Sequence, residues 1–297
     1  MNHIKDQIRC GAAYRLGLTG KGIGVAVLDT GIFLHRDFDS RVTGFADMVN
    51  GKNFAYDDCG HGTHICGIIG GSGRMSGGRY SGIAPGCNLI MVKVLDRKGN
   101  GYSSDVLAGI SWVLERKEQL GIRILNISVG ACSKRGMSEN SALVKGVNRA
   151  WDAGLVVVVA AGNNGPRTMS ITTPGISRKV ITVGCSDDDR EVLVGGNRMV
   201  DYSGRGPTAA CICKPDLVAP GCSVVSCAGR ADKYTIKSGT SMSTPIVSGA
   251  TALLLERYPD MTNKDVKLKL RESCTDIGLP RNQQGWGLLD VEKLVSK

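Results

Sequence analysis

The run Leu155-Val156-Val157-Val158-Val159-Ala160-Ala161 narrows the fold more than any other stretch of the chain. It is apolar at every position, so it lacks the alternation of a strand with one wet face. It is bounded by Gly154 and Gly162 and rich in β-branched valine, which favours a strand over a helix of that length. A strand with no polar face needs cover on both sides, as in a parallel sheet held between layers of helices. Further strands are expected at residues 23–28, 88–95, 123–128 and 179–185, with short segments around turns at 200–206 and 214–220. Between them lie a short Gly-rich helix at 61–70, amphipathic helices at 103–120 (capped by Ser103 or Ser104) and 138–153 (stopped by Gly154), a helix from Ser241, and a charged helix from about Asn263 to Cys274. Residues 33–60 are expected to be loop-rich. This alternation predicts an α/β fold: one domain, with a mostly parallel twisted sheet and helices on both faces.

Composition limits the possible functions. With 297 residues, 42% of them hydrophobic, the chain can bury a large core, and no Pro- or Ser-rich linker divides it. The 41 glycines and 5% aromatics suit many tight loops. The net charge of +10 is spread along the chain, apart from a modest cluster at Lys264, Lys267, Lys269 and Arg271. No aromatic-interleaved basic stripe or nucleic-acid motif accompanies it, so no nucleic-acid partner is expected, only weak attraction to acidic partners. No apolar run approaches the roughly 18 residues of a membrane span, so no membrane partner is expected. The 11 cysteines are odd in number and form no disulfide pattern, which suits a reducing compartment. The N-terminal residues lack the apolar core of a secretory leader. A cytoplasmic protein is expected, and a secreted one only if a leader has been trimmed. Cys211, Cys213, Cys222 and Cys227 lack zinc spacing and a nearby histidine, and His61 with His64 has no third ligand in reach.

Three positions carry candidate chemistry. Asp29 ends the strand at 23–28, where open α/β sheets place their sites. His61 opens the Gly-rich helix. Ser241, within Ser238-Gly239-Thr240-Ser241-Met242-Ser243-Thr244-Pro245, opens another helix, where unpaired backbone N–H groups suit a reaction that builds negative charge on oxygen. Asp29 and Ser241 each have a plain structural account when taken alone: a turn aspartate and an N-cap serine. Together the three positions give acid, imidazole and alcohol in the order Asp…His…Ser.

On four motifs the chain resembles the subtilisin-like serine proteases, or subtilases: Val27-Leu28-Asp29-Thr30-Gly31, His61-Gly62-Thr63-His64, Ala160-Ala161-Gly162-Asn163 and Gly239-Thr240-Ser241-Met242. The segment from Lys214 to Gly221 also looks like a family segment. The resemblance spans about residues 20–294 and implies an N-terminal extension, 1–19, and a peptidase domain, 20–297. It implies a serine endopeptidase in which Ser241 is the nucleophile, His61 the general base and then acid, Asp29 the group that orients the imidazole, and Asn163 a donor to the oxyanion. Thr240 would support the same oxyanion hole. Polypeptide substrates would lie extended between Ser128-Val129-Gly130 and Gly99-Asn100-Gly101, a pairing that reads little sequence. Ala160, Ala161 and Gly162 would wall a primary pocket for a large apolar side chain, with Thr172 near its base. Asp57 and Asp58, before His61, are read as a solvated turn that could otherwise favour a basic side chain one position further from the cut than the primary pocket. His64 is expected to pack behind His61, Met242 to make the enzyme sensitive to peroxide, and Thr173-Pro174 to be a cis peptide.

The chain departs from the family at residues 70–82, which do not reproduce the calcium loop of secreted members. Asp37 matches one calcium ligand, and the run Asp187-Asp188-Asp189 could hold calcium or stand solvated, so structural calcium is possible and no cofactor is needed for the chemistry. The family's N-terminal pro-segment has no counterpart in the roughly 28 residues before Asp29, so it is expected either to have been removed or to be replaced by some other restraint, and the short loops look like those of intracellular members. The competing possibilities are a catalytically silent, peptide-binding relative and a nucleic-acid-binding protein. Oligomeric state is not encoded in any of these signals.

Overall fold

The computed structural model describes residues 1–130 and 139–296. Seven strands form one sheet: β1 (Gly24–Asp29), β2 (Val42–Asp47), β3 (Asn88–Lys93), β4 (Ile122–Ile127), β5 (Val156–Ala160), β6 (Ile181–Cys185) and, after the small antiparallel pair β7 (Val192–Val194) and β8 (Asn197–Met199), β9 (Leu217–Ala219). Their order is β2-β3-β1-β4-β5-β6-β9, and every neighbouring pair is parallel. A separate antiparallel hairpin joins β10 (Val224–Cys227) to β11 (Tyr234–Lys237). The expected strand at 155–161 is β5, and all its residues are buried, as its uniformly apolar sequence requires.

The helices are α1 (Asn2–Gln7), α2 (Gly11–Arg15), α3 (His61–Gly70), α4 (Ser103–Arg116), α5 (Ala142–Asp152), α6 (Thr240–Arg257), α7 (Asn263–Ser273), α8 (Arg281–Gln284) and α9 (Val291–Val295). α3 and α6 pack on each other and on the sheet, and α4 and α5 do the same. Because every residue of β1 and β5 is buried, the two helix pairs cover opposite faces. The crossovers carry the chain from β1 to the β2 edge, back to β3 beside β1, then across to β4. The rim at the carboxyl ends of β1, β4 and β5 is therefore where loops from both halves converge.

Several expectations change in detail. α4 is capped by the backbone of Tyr102, with no side-chain cap from Ser103 or Ser104. The start expected for α5 at Ser138 lies outside the described residues; its cap is Ser141, whose hydroxyl accepts from the Val144 N–H. The region 33–60 contains β2, an edge strand. α7 begins as predicted at Asn263, with a reciprocal cap between Thr262 and Asp265. Residues 1–19 are packed down: Ile4, Ile8, Cys10 and Ala13 join the main core, Arg9 pairs with Asp290, and the Val291 N–H bonds to the Ile8 carbonyl.

Candidate active site

Asp29 is the last residue of β1 and is fully buried. Its Oδ1 accepts from the Thr30 N–H at 2.8 Å and faces His61 Nδ1 at 2.7 Å. His61 is the first residue of α3, and two glycines allow that helix to start so close to β1. A Cβ on Gly31 would lie 2.1 Å from the Tyr56 carbonyl oxygen, and one on Gly62 would lie 2.2 Å from that of Gly31. The Asp-Thr-Gly and His-Gly-Thr motifs are thus two sides of one tight contact. The Gly62 N–H closes it by donating to Thr30 Oγ1 at 2.9 Å.

Burial of the His61 imidazole works against its charged form. The charge and hydrogen bond of Asp29 outweigh that effect and the nearby Lys237 cation, so its pKa lies above the ordinary histidine value. His64, one turn along, is different. It is buried, its Nε2 lies 3.1 Å from the Val224 carbonyl and 3.2 Å from that of Thr235, and burial is the main cause that pushes its pKa down to about 3. It packs behind His61 against the β10–β11 hairpin.

α6 runs through the core, and of residues 240–255 Ser241 alone is not fully buried. The helix reaches the surface where a nucleophile would be wanted, in its first turn, among N–H groups without intrahelical partners. In this conformation the Ser241 hydroxyl donates to the Ser128 carbonyl at 2.7 Å and not to His61. Both residues line the same trough, and such catalytic bonds commonly tighten only with substrate bound. Ser128 is itself held from below: Asn126 Nδ2 donates to its Oγ, while Ser248 of α6 donates to Asn126 Oδ1.

Asn163 follows β5. Its Oδ1 accepts from the Thr240 N–H and from Thr240 Oγ1, both at 3.0 Å. A backbone N–H can only donate, so the amide orientation is fixed by this bond and Nδ2 is turned away from Thr240. Thr240 Oγ1 also accepts from the Gly162 N–H at 3.2 Å. Thr240 is therefore a clamp on Asn163.

His61, Ser241, Asn163 and Thr240 line one open trough of about 460 Å³. Gly99, Ser128, Val129, Gly130, Ala160 and Gly162 line it too. Asn100 and Gly101 line an adjoining hollow of about 210 Å³, which shares Gly99 and Val129 with the trough. Ala161 departs from expectation: it is absent from the trough lining, and its side chain packs with Val144, Ile171 and Ile176. Thr172 lines the trough beneath two glycines, since a Cβ on Gly130 or Gly162 would come within about 2.5 Å of it.

The residues before His61 do not form a solvated turn. Asp57 accepts from Thr30 Oγ1, the Gly60 N–H and both the N–H and hydroxyl of Thr63, pinning the start of α3. Asp58 receives the ammonium of Lys93, which is fully buried at the end of β3 and also donates to the carbonyls of Thr30 and Leu95. Sequence reasoning missed this lysine. The only signal was a charge closing an otherwise apolar strand.

The donor sets do not fit calcium. Asp37 is buried beside His35 and Cys227, a nitrogen and a sulfur. Its carboxylate already accepts from the Met75 N–H, the Tyr234 hydroxyl and the Cys227 thiol. Calcium takes six to eight oxygens. Asp187 is occupied by the N–H groups of Gly221 and Cys222, and Asp188 by that of Ser203, so these two are turn braces and not a solvated run. Cys211 and Cys213 are exposed, Cys222 lies by Tyr202 and Cys227 by Asp37, so the four cysteines form no cluster. Thr173-Pro174 is cis.

The subtilase family model matches residues 20–287. Serine protease AprX of Bacillus subtilis (strain 168) is 42% identical over 292 residues, covering 93% of this chain and 65% of AprX. Subtilisin BL of Lederbergia lenta is 34% identical over 287 residues, covering 97% of this chain and 96% of subtilisin BL. The chain thus spans just under two thirds of AprX. Among solved structures, Sphericase superposes with a TM-score of 0.77 at 30% identity, covering 92% of this chain and 93% of its own. A cold adapted subtilisin-like serine proteinase superposes at 0.75 and 29% identity, covering 92% and 90%.

Proposed function

Because this chain belongs to the subtilase family, we propose that it is a serine endopeptidase that cuts polypeptides at Ser241. The observation that carries the proposal is the 2.7 Å approach of Asp29 Oδ1 to His61 Nδ1, with Ser241 on the wall of the same trough. Asp29 holds the Nδ1 proton of His61, which leaves Nε2 free to take the Ser241 proton as Oγ attacks the substrate carbonyl. The carbonyl oxygen becomes an anion, stabilised by Asn163 Nδ2 and the Ser241 N–H at the start of α6. His61 then passes the proton to the leaving amine, and water repeats the sequence on the acyl-enzyme.

Substrate lies extended along Ser128-Val129-Gly130 on one side and Gly99 to Gly101 on the other, held by backbone bonds that give broad specificity. Ala160 and Gly162 present little bulk, which leaves room for a large apolar side chain. Among the described residues no helix is long and apolar enough to cross a membrane, and the unpaired thiols favour a reducing, cytoplasmic setting. The test is cleavage of an unfolded protein at pH 8 by the wild type and by Ser241→Ala. The proposal expects cleavage only by the wild type, with both proteins equally folded. Tight peptide binding without turnover by the wild type would mark a silent relative instead.

A further inference from the structure

Three hollows form one continuous groove. The hollow holding Asn100 and Gly101 opens through Gly99 and Val129 into the trough that contains Ser241. That trough opens past Cys59 and Lys237 into a third hollow of about 550 Å³. On the endopeptidase reading, the acyl side of a peptide would lie in the first two, alongside Ser128-Val129-Gly130, and the third, beyond Cys59 and Lys237, would receive the residues that leave with the amine.

The charges of that third hollow do not cancel. Lys237, Lys233 and Arg230 line it, and none has an ion-pair partner among the described residues. Two carboxylates also line it, and both are occupied. Asp57 is turned onto Thr30, Gly60 and Thr63 at the start of α3, and Asp58 onto the buried Lys93. Asp232, on the same hairpin loop, is paired with Arg36. Lys237 is half-buried and lines both hollows, close enough to His61 for its charge to oppose the imidazolium. A cation held near a cleft wall with its counter-charges engaged elsewhere attracts an anion from the ligand.

We propose that the leaving-group side of this cleft is a carboxylate subsite built on Lys237, extended by Lys233 and Arg230, so that the chain cuts ahead of segments bearing a carboxylate within two residues of the scissile bond. This rests on the endopeptidase reading above. Asp57 and Asp58 do not offset the subsite's positive charge, because both carboxylates are already engaged. The carboxylate can belong to an aspartate or glutamate side chain or to the end of the peptide.

The test measures kcat/KM on matched peptides with one apolar residue before the cut. C-terminally amidated peptides carry Asp or Asn at the first or second position beyond it, and a further neutral peptide ends there in a free carboxylate. The expected acid-to-neutral ratio is about three- to tenfold. It falls with added NaCl, because exposed charges are screened. It drops toward one in Lys237→Gln and inverts in Lys237→Glu. The Asp and free-end peptides show which source of carboxylate is taken. A ratio of one in the wild type overturns the subsite, as does a ratio that persists in Lys237→Gln and in the Arg230→Gln, Lys233→Gln double variant. In those cases the neutral peptide is still cut and only the subsite fails. No cleavage of any peptide, with Ser241 inert to a serine-directed inhibitor, overturns the endopeptidase reading as well.

Discussion

Replacing Lys93 by Met tests whether the strand ends beneath the site are set by one buried ammonium. Lys93 Nζ contacts the Thr30 carbonyl at 2.6 Å and the Leu95 carbonyl and Asp58 Oδ1 at 2.7 Å. Met keeps most of the volume and removes every one of these bonds. Hydrogen bonds from a charged donor contribute about 1.5–3 kcal/mol each. The Asp58 side chain is 38% exposed, so it can rehydrate, and its share is discounted to about 1 kcal/mol or less. Against this loss stands the relief of a desolvated ammonium, worth several kcal/mol. The net cost falls near the low end of that for breaking a buried pair, about 3 kcal/mol. In a chain of this size that lowers Tm by roughly 5–10 °C. The Thr30 carbonyl lies one residue beyond Asp29, so activity should fall by about tenfold, chiefly in kcat. Calorimetry and steady-state kinetics on one peptide substrate read both effects. A variant with Tm within 2 °C of the wild type and undiminished kcat would refute the reasoning, since it would mean that those carbonyls need no donor.

Further outcomes follow from the same geometry. Because Asp29 outweighs burial and raises the His61 pKa, the neutral base is lost at higher pH than for a free histidine, so kcat/KM should decline as pH falls through a midpoint above about 6.5, and Asp29→Asn should move that midpoint to lower pH while removing most of the activity. Thr240→Val removes the hydroxyl shared by Asn163 and Gly162 but keeps the backbone bond, so kcat should drop about five- to tenfold with KM little changed. His64 has a folded pKa near 3, below its unfolded value, so its contribution to stability is complete above about pH 6.5 and is lost as pH falls; denaturant unfolding of His64→Gln should show a shallower loss between pH 6.5 and 4 than the wild type.

The sequence made the sheet legible because its strands carry their burial openly. The all-apolar run became β5 with an end moved by one residue at each side, and the charged helix expected from about Asn263 begins there. The edge strand β2 was hidden because it is only partly buried and mixes Thr, Gly and Asp with its apolar residues, which resembles a loop. The short antiparallel pairs β7–β8 and β10–β11 were hidden because, at three or four residues each, they are too short to show a pattern. Asp29, His61, Asn163 and Ser241 stood out through the motifs around them. Their supports did not, because a supporting bond joins residues far apart in the chain: Thr240 to Asn163, Ser248 to Asn126, Lys93 to Asp58. Asp57 and Asp58 show the cost of reading charges without their partners. Only the fold reveals that both carboxylates are engaged and that Lys237 has no ion-pair partner among the described residues.

The most direct measurement is the reaction of the native protein with a fluorophosphonate, followed by mass spectrometry of the labelled peptide. The account predicts one adduct per chain, on Ser241, formed quickly by the wild type and slowed at least a thousandfold in His61→Ala. An unlabelled Ser241 in folded protein, or labelling at the same rate without His61, would contradict it.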